Sequence, residues 1–178
     1  MNKLKIGIIL GSTRVGRKSP EVGGWVLEKA NALSDDIFEI IDINDYNIPF
    51  FGTEQNNESI SRWKETISQY DGFIFVVQEY NHSITGALKN ALDSAYEEWN
   101  NKAAGIVSYG SAYGARAAEA LRLILGELQV ADVRNQVLLS LFTDFSDGAF
   151  TPQKLHDKNM NALIDQVTTW SRALKPLR

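Results

Sequence analysis

Apolar residues along the chain fall into two alternating kinds of run, one short and continuous, the other long and periodic. The short runs are Leu4 to Leu10, Phe38 to Ile43, Gly72 to Val77, Ala103 to Ser108 and Gln136 to Ser140. Near-continuous apolar character is what parallel strands covered on both faces require; a half-exposed sheet would alternate. The long runs place apolar residues at three- and four-residue spacing. Pro20 to Ser34 carries Val22, Trp25, Val26 and Ala30, and Ile60 to Tyr70 carries Trp63 and Ile67. Ile84 to Asn100 carries Leu88, Ala91, Leu92, Ala95 and Trp99, and Ala115 to Leu128 carries Ala118, Leu121, Ile124 and Leu125. Pro152 to Leu174 carries Leu155, Leu163, Ile164, Val167 and Trp170. Strands followed by helices of this length predict βα units with right-handed crossovers. The expected fold is therefore α/β, a single doubly wound domain over residues 1–178 with a five-stranded parallel sheet of order 2-1-3-4-5.

Composition narrows the chemistry. With 178 residues the chain can bury a core without staples, and with no Cys it has no disulfide, iron–sulfur cluster, Cys-rich zinc site or thiol nucleophile. The two His residues are far apart and no His-Glu-x-x-His pattern occurs, so no metal site is expected. A net charge of −4 argues against a general nucleic-acid or anionic-membrane binder. The apolar run after Met1 to Lys5 is short for a signal-peptide core, and no apolar stretch reaches the roughly 18 residues of a membrane span, so the expected compartment is the cytoplasm.

In such a sheet the functional edge lies at the carboxyl ends of the strands. The first loop there reads Gly11-Ser12-Thr13-Arg14-Val15-Gly16-Arg17-Lys18-Ser19. Backbone amides, hydroxyls and a helix N-terminus form a concave donor set for an anion, to which Arg14 and Arg17 add guanidinium forks. The spacing fits neither a P-loop, whose lysine position holds Arg17, nor a Gly-x-Gly-x-x-Gly dinucleotide fingerprint. Two loose segments, Asp45 to Ser59 and Thr143 to Thr151, follow the ends of predicted strands and are candidate walls of the site.

Two further loops follow. After the third strand comes Gln78-Glu79-Tyr80-Asn81-His82-Ser83, trailing into Gly86-Ala87-Leu88-Lys89-Asn90-Ala91-Leu92-Asp93; after the fourth comes Ser108-Tyr109-Gly110. With Gly-Ser-Thr-Arg in the first loop, these motifs resemble, in order over Lys3 to Leu139, the NADPH-dependent FMN reductase family, which is flavodoxin-like. The resemblance implies FMN as cofactor, NADPH or NADH as co-substrate, and transfer to a small-molecule acceptor such as a quinone, azo compound or free flavin, by ping-pong turnover. It implies that Ser12, Arg14 and Ser19 hold the FMN phosphate, with Arg17 nearby. Glu79, Tyr80 and Asn81 would line the ring, largely through backbone amides, with Gln78 also among the cofactor-binding residues, and Ser108, Tyr109 and Gly110 would approach it from the next loop. No catalytic side chain is expected, because the flavin carries the hydride chemistry. The resemblance also implies a homodimer or a pair of dimers, and the helices Ile84–Asn100 and Ala115–Leu128 offer apolar positions surplus to one sheet face.

The chain departs from the family at Gln78, where Pro or Thr is usual, at Thr85, where Pro is common, and at Tyr113-Gly114, where Gly-Gly is frequent. Tyr113 and His82 are candidate contacts for nicotinamide or acceptor. Asp42 reads as a strand-end cap, His156 as structural or exposed, and the four Trp residues as packing. Ser12, Asp147 and His156 could compose a hydrolytic triad only if folding brought them together. Two further readings are an FMN electron carrier of the flavodoxin kind and a flavin-binding sensor without turnover.

Overall fold

Five parallel strands form the sheet seen in the computed structural model, which describes residues 3–54 and 57–178. Met1 and Asn2 of the amino-terminal segment, and Gln55 and Asn56 of the Asp45–Ser59 loop, lie outside the described residues. The strands are β1 (Lys5–Leu10), β2 (Ile37–Asp42), β3 (Gly72–Gln78), β4 (Lys102–Gly110) and β5 (Val130–Ser140), in the spatial order β2-β1-β3-β4-β5. That is the expected order. In β3 every residue is buried, Phe73, Phe75 and Val77 toward one layer and Ile74 and Val76 toward the other. Helices α1 (Ser19–Leu33) and α5 (Asp157–Leu174) cover one face, and α2 (Glu58–Ser68), α3 (Gly86–Asp93) and α4 (Ala115–Glu127) the other.

Three boundaries differ from the sequence expectation by five residues or more. Strand β5 begins at Val130 rather than Gln136, because its first half is an edge bearing Asp132, Arg134 and Asn135, which hide the strand from an apolar pattern. Its pairing with β4 shifts register between Ala104 and Ile106 of β4, and Arg122 of α4 reaches the irregular stretch, donating to the Val133 carbonyl at 3.1 Å and to the Gln136 side-chain Oε1 at 2.9 Å. Helix α3 stops at Asp93, not Asn100: the Ser94 hydroxyl donates back to the Asn90 carbonyl at 2.7 Å, and a 3-10 turn, Glu97–Trp99, follows. Helix α5 starts at Asp157, after a 3-10 turn over Lys154–His156.

The segment Thr143 to Thr151 is more ordered than its composition suggests. It contains a two-stranded hairpin, β6 (Phe145–Ser146) and β7 (Ala149–Phe150), around Asp147-Gly148, both with positive φ as a tight hairpin turn demands. Phe145 and Phe150 stack at 5.1 Å, and Phe150 meets Trp25 of α1 edge-on at 5.6 Å.

The apolar positions expected to be surplus on the third and fourth helices are not surplus. Leu88, Ala91, Leu92, Ala95, Trp99, Ala117, Ala118, Leu121, Leu125 and Leu128 are all buried in the chain's own core. Tyr96 and Leu123 are the large apolar side chains left exposed in these segments. Trp63 and Trp99 are fully buried, and Trp170 is half exposed. No helix among the described residues is long and apolar enough to cross a membrane.

Candidate functional site

The loop from Gly11 to Ser19 is fastened at both ends and open in the middle. The Gly11 amide donates to the Val76 carbonyl at 2.9 Å, and its own carbonyl accepts the Thr85 hydroxyl at 2.5 Å. The same Thr85 oxygen accepts the Leu88 amide at 3.0 Å, so one side chain caps α3 and ties it to the first loop. Thr85 therefore supplies a cap that proline could not. Between these anchors the amides of Ser12, Thr13, Val15, Gly16 and Lys18 have no hydrogen-bond partner among the described residues. Ser19, the first residue of α1, is fully buried and its hydroxyl has no partner. Five open amides and an orphaned hydroxyl at a helix N-terminus form an anion cradle.

The cations around the cradle divide sharply. Arg17 is spoken for: it donates to Asp42 Oδ1 at 2.6 Å, to Asp42 Oδ2 at 2.5 Å and to the Ser12 carbonyl at 2.5 Å. Asp42 also accepts the Asn44 amide at 3.0 Å, which makes it the strand-end cap expected of it. Lys18 pairs with Glu21 at 3.0 Å and donates to the Gly148 carbonyl of the hairpin. Arg14 has no acidic partner among the described residues; its guanidinium carbon lies 5.9 Å from the Tyr80 ring centroid. Arg14 is thus the guanidinium of this loop that carries no acid partner among the described residues.

The second loop is a tight turn. Tyr80 and Ser83 exchange amide–carbonyl bonds at 3.0 Å, with Asn81 and His82 at φ of 46° and 67° between them. This narrows the amides available for a ligand: the Glu79 amide donates to the Tyr109 carbonyl at 2.9 Å and the Tyr80 amide is used in the turn, whereas those of Asn81 and His82 are unused among the described residues. The Glu79 carboxylate is turned inward. It accepts the Arg116 amide at the start of α4 at 3.1 Å and Arg116 Nε at 2.5 Å. Arg116 Nη1 lies 2.8 Å from His82 Nε2. Because a guanidinium only donates, Nε2 is the acceptor in this contact. Arg116 was not legible in the sequence, since its partners lie 34 and 37 positions away.

The third loop packs under both. Gly114 has φ of +72°, and a Cβ there would sit 2.6 Å from the Tyr109 amide nitrogen and 2.8 Å from Ser108 Cβ, so only glycine fits. Tyr113 precedes it in the left-handed region, half exposed, and its carbonyl accepts the Ser108 hydroxyl at 3.3 Å. Tyr109 is buried and donates its hydroxyl to Gln78 Oε1 at 2.7 Å. Burial pushes the Tyr109 phenol up, with Tyr80 adding to the effect and Ser19, Arg14 and Arg17 opposing it. Tyr109 lies in the buried layer shared with Val22 and Val26 of α1.

A cavity of about 390 Å³ opens beside Thr13, lined by Ile43, Asn47, Ile48 and Phe50 from the loop after β2 and by Ala87 and Asn90 from α3. Asn90 fastens that loop: its Nδ2 donates to the Pro49 carbonyl at 2.9 Å and its Oδ1 accepts the Phe51 amide at 2.8 Å. The segment Asp45 to Ser59 therefore walls a cavity next to the first loop. On the far side, Asp144 is fully buried and holds the segment after β5; its carboxylate accepts the Ser140 amide at 2.8 Å, the Gln153 amide at 3.1 Å and a bond from His156 Nε2 at 2.8 Å. His156 is thus structural, and no triad with Ser12 and Asp147 is formed.

Comparison with known proteins bears on the family and the fold. Residues 4–144 match the family model for NADPH-dependent FMN reductases. An NAD(P)H-dependent FMN reductase of Nectria sp is 36% identical over 157 residues, covering 79% of this chain and 78% of the relative. A quinone reductase of Pseudomonas putida is 27% identical over 178 residues, covering 93% of each. Among solved structures, the flavoenzyme NAD(P)H:(acceptor) oxidoreductase FerB of Paracoccus denitrificans superposes with a TM-score of 0.74 over 96% of this chain and 98% of the other, at 20% identity.

Proposed function

The chain belongs to the NADPH-dependent FMN reductase family, and from this premise we propose that it takes hydride from NADH or NADPH and passes reducing equivalents to a planar quinone-type acceptor, the two substrates using one open face in turn. It is an NAD(P)H-dependent FMN oxidoreductase; the acceptor, the order of events and the residues that bind are the proposal.

The observation that carries the reading is the cradle of the first loop. A phosphate monoester needs several N–H and O–H donors and about one unpaired cation close by. The open amides of Ser12, Thr13, Val15, Gly16 and Lys18, the orphaned Ser19 hydroxyl and Arg14 make up that set. The residues present therefore fit the phosphate of FMN, with Ser12, Arg14 and Ser19 holding it and Arg17 bracing the loop against Asp42. The Asn81 and His82 amides and the Ser108–Gly110 strand end would lie along the ring. Bound FMN supplies the two-electron hydride chemistry. The chain orients its substrates: Tyr80 and Tyr113 expose aromatic faces at the strand ends, against which a planar acceptor can stack. Arg14 is the one cation here without an acid partner among the described residues, so the site offers no second fork for a nucleotide 2′-phosphate, and NADH and NADPH should both serve.

The proposal includes assembly into a homodimer or a pair of dimers through the outer faces of the segments Ile84–Asn100 and Ala115–Leu128, where Tyr96 and Leu123 are exposed. Steady-state kinetics test the shared face. Initial rates measured at several concentrations of both NADPH and a benzoquinone are expected to give parallel double-reciprocal lines; intersecting lines would show that both substrates bind together and would overturn it.

A further inference from the structure

Gln78 stands at the carboxyl end of β3, in register with Tyr109 of β4. Side chains alternate along a strand, so Gln78 shares the face of Ile74 and Val76, as Tyr109 shares that of Val107, and both point into the layer of α1 beneath the first loop. The side chain is nearly enclosed, with 4% of its surface exposed. Its Oε1 accepts the Tyr109 hydroxyl at 2.7 Å, and the phenol is held protonated by burial. In this bond Oε1 is the end of the amide that faces the phenol. Nε2, with its two donors, has no partner among the described residues, and it is not one of the fully enclosed orphans, which are Ser19 Oγ and Ser171 Oγ. An unused donor pair therefore opens at the end of β3, two residues beyond the Val76 carbonyl that accepts the Gly11 amide at the start of the first loop.

We propose that Gln78 is a phosphate-binding residue: latched by Tyr109, its Nε2 donates to the monoester phosphate of the flavin and so sets the preference for FMN over riboflavin. This gives Gln78, expected only among the cofactor-binding residues, a place at the floor of the phosphate site. A buried amide with one end latched is preorganised, so little side-chain entropy is lost on binding. The inference rests on the reading that the first loop holds the flavin phosphate.

The test is a pair of dissociation constants, for FMN and for riboflavin, measured by flavin-fluorescence quenching on the full chain freed of flavin. Gln78→Met keeps the length and volume of the side chain and removes the donors. FMN binding is expected to weaken about tenfold or more, as loss of a hydrogen bond to a charged group implies, with riboflavin binding changed less than about twofold. Tyr109→Phe, which unlatches Gln78 without removing it, is expected to weaken FMN by a smaller factor and again to spare riboflavin. It decides the matter if Gln78→Met does not fold. Wild-type FMN affinity in either variant, or an equal loss of both flavins, overturns the proposal. Arg14→Ala separates the two levels of the argument. If it lowers the FMN-to-riboflavin preference while the Gln78 and Tyr109 variants do not, only the role of Gln78 fails; if it leaves the preference intact, the phosphate reading of the loop fails.

Discussion

Replacing Asp144 by alanine is expected to cost roughly 3–5 kcal/mol of stability, the range seen when one member of a buried charged or hydrogen-bonded cluster is removed. The carboxylate is fully enclosed and satisfies three donors at once, the Ser140 and Gln153 amides and His156 Nε2. Alanine leaves all three unpaired in a space closed to water. Urea unfolding at neutral pH measures the loss, and a change below about 1 kcal/mol, within the range of an ordinary single hydrogen bond, would contradict it. The pH dependence has a definite sign. Burial alone would raise the Asp144 pKa, but the two amides and His156 outweigh it and hold the group below its ordinary value. A depressed carboxylate contributes its stability in full above the unfolded pKa of about 3.9 and loses it as pH falls through the folded value. The gap between wild type and Asp144→Asn is therefore expected to be constant near neutrality and to close in acid below about pH 4. Function follows stability here, because the same segment hangs from the third loop through the Leu141 amide, which donates to the Gly110 carbonyl at 3.2 Å.

Arg14→Ala is expected to weaken FMN binding by about tenfold to a hundredfold, the worth of a charge-assisted hydrogen bond to phosphate. Arg17→Ala is expected to act differently although the two residues lie three positions apart in one loop. Its guanidinium is already taken by Asp42 and the Ser12 carbonyl, so its loss leaves Asp42 unpaired and loosens the loop. Its effect should appear first in the thermal midpoint, with FMN weakened as a consequence. Titration of both variants with FMN, beside their melting curves, distinguishes the roles. Equal loss of FMN affinity with unchanged melting in both would mean that the Asp42 pair does not brace the loop.

The sheet was legible because β1, β3 and β4 are covered on both sides, and burial keeps all but a few of their positions apolar. The anion loop was legible too, since its glycine, hydroxyl and arginine residues are contiguous. What escaped depends on residues distant in sequence. Arg17 and Asp42 are 25 positions apart, and nothing local shows that Arg17 is neutralised while Arg14 is not. Arg116 reaches Glu79 and His82 across two βα units. Asn90 reads as one polar position on an amphipathic helix, yet it holds the wall of the cavity through Pro49 and Phe51. Strand β5 escaped for another reason: at a sheet edge polar side chains can face water, so its first six residues carry no apolar run.

The most direct test of the account is anaerobic titration of the flavin-free full chain with FMN, followed by addition of NADH or NADPH under a visible spectrometer. FMN is expected to bind tightly while riboflavin does not, and either reduced nicotinamide is expected to bleach the bound flavin bands within seconds. Bound FMN that keeps its colour would contradict hydride transfer, and failure to distinguish FMN from riboflavin would contradict the phosphate cradle.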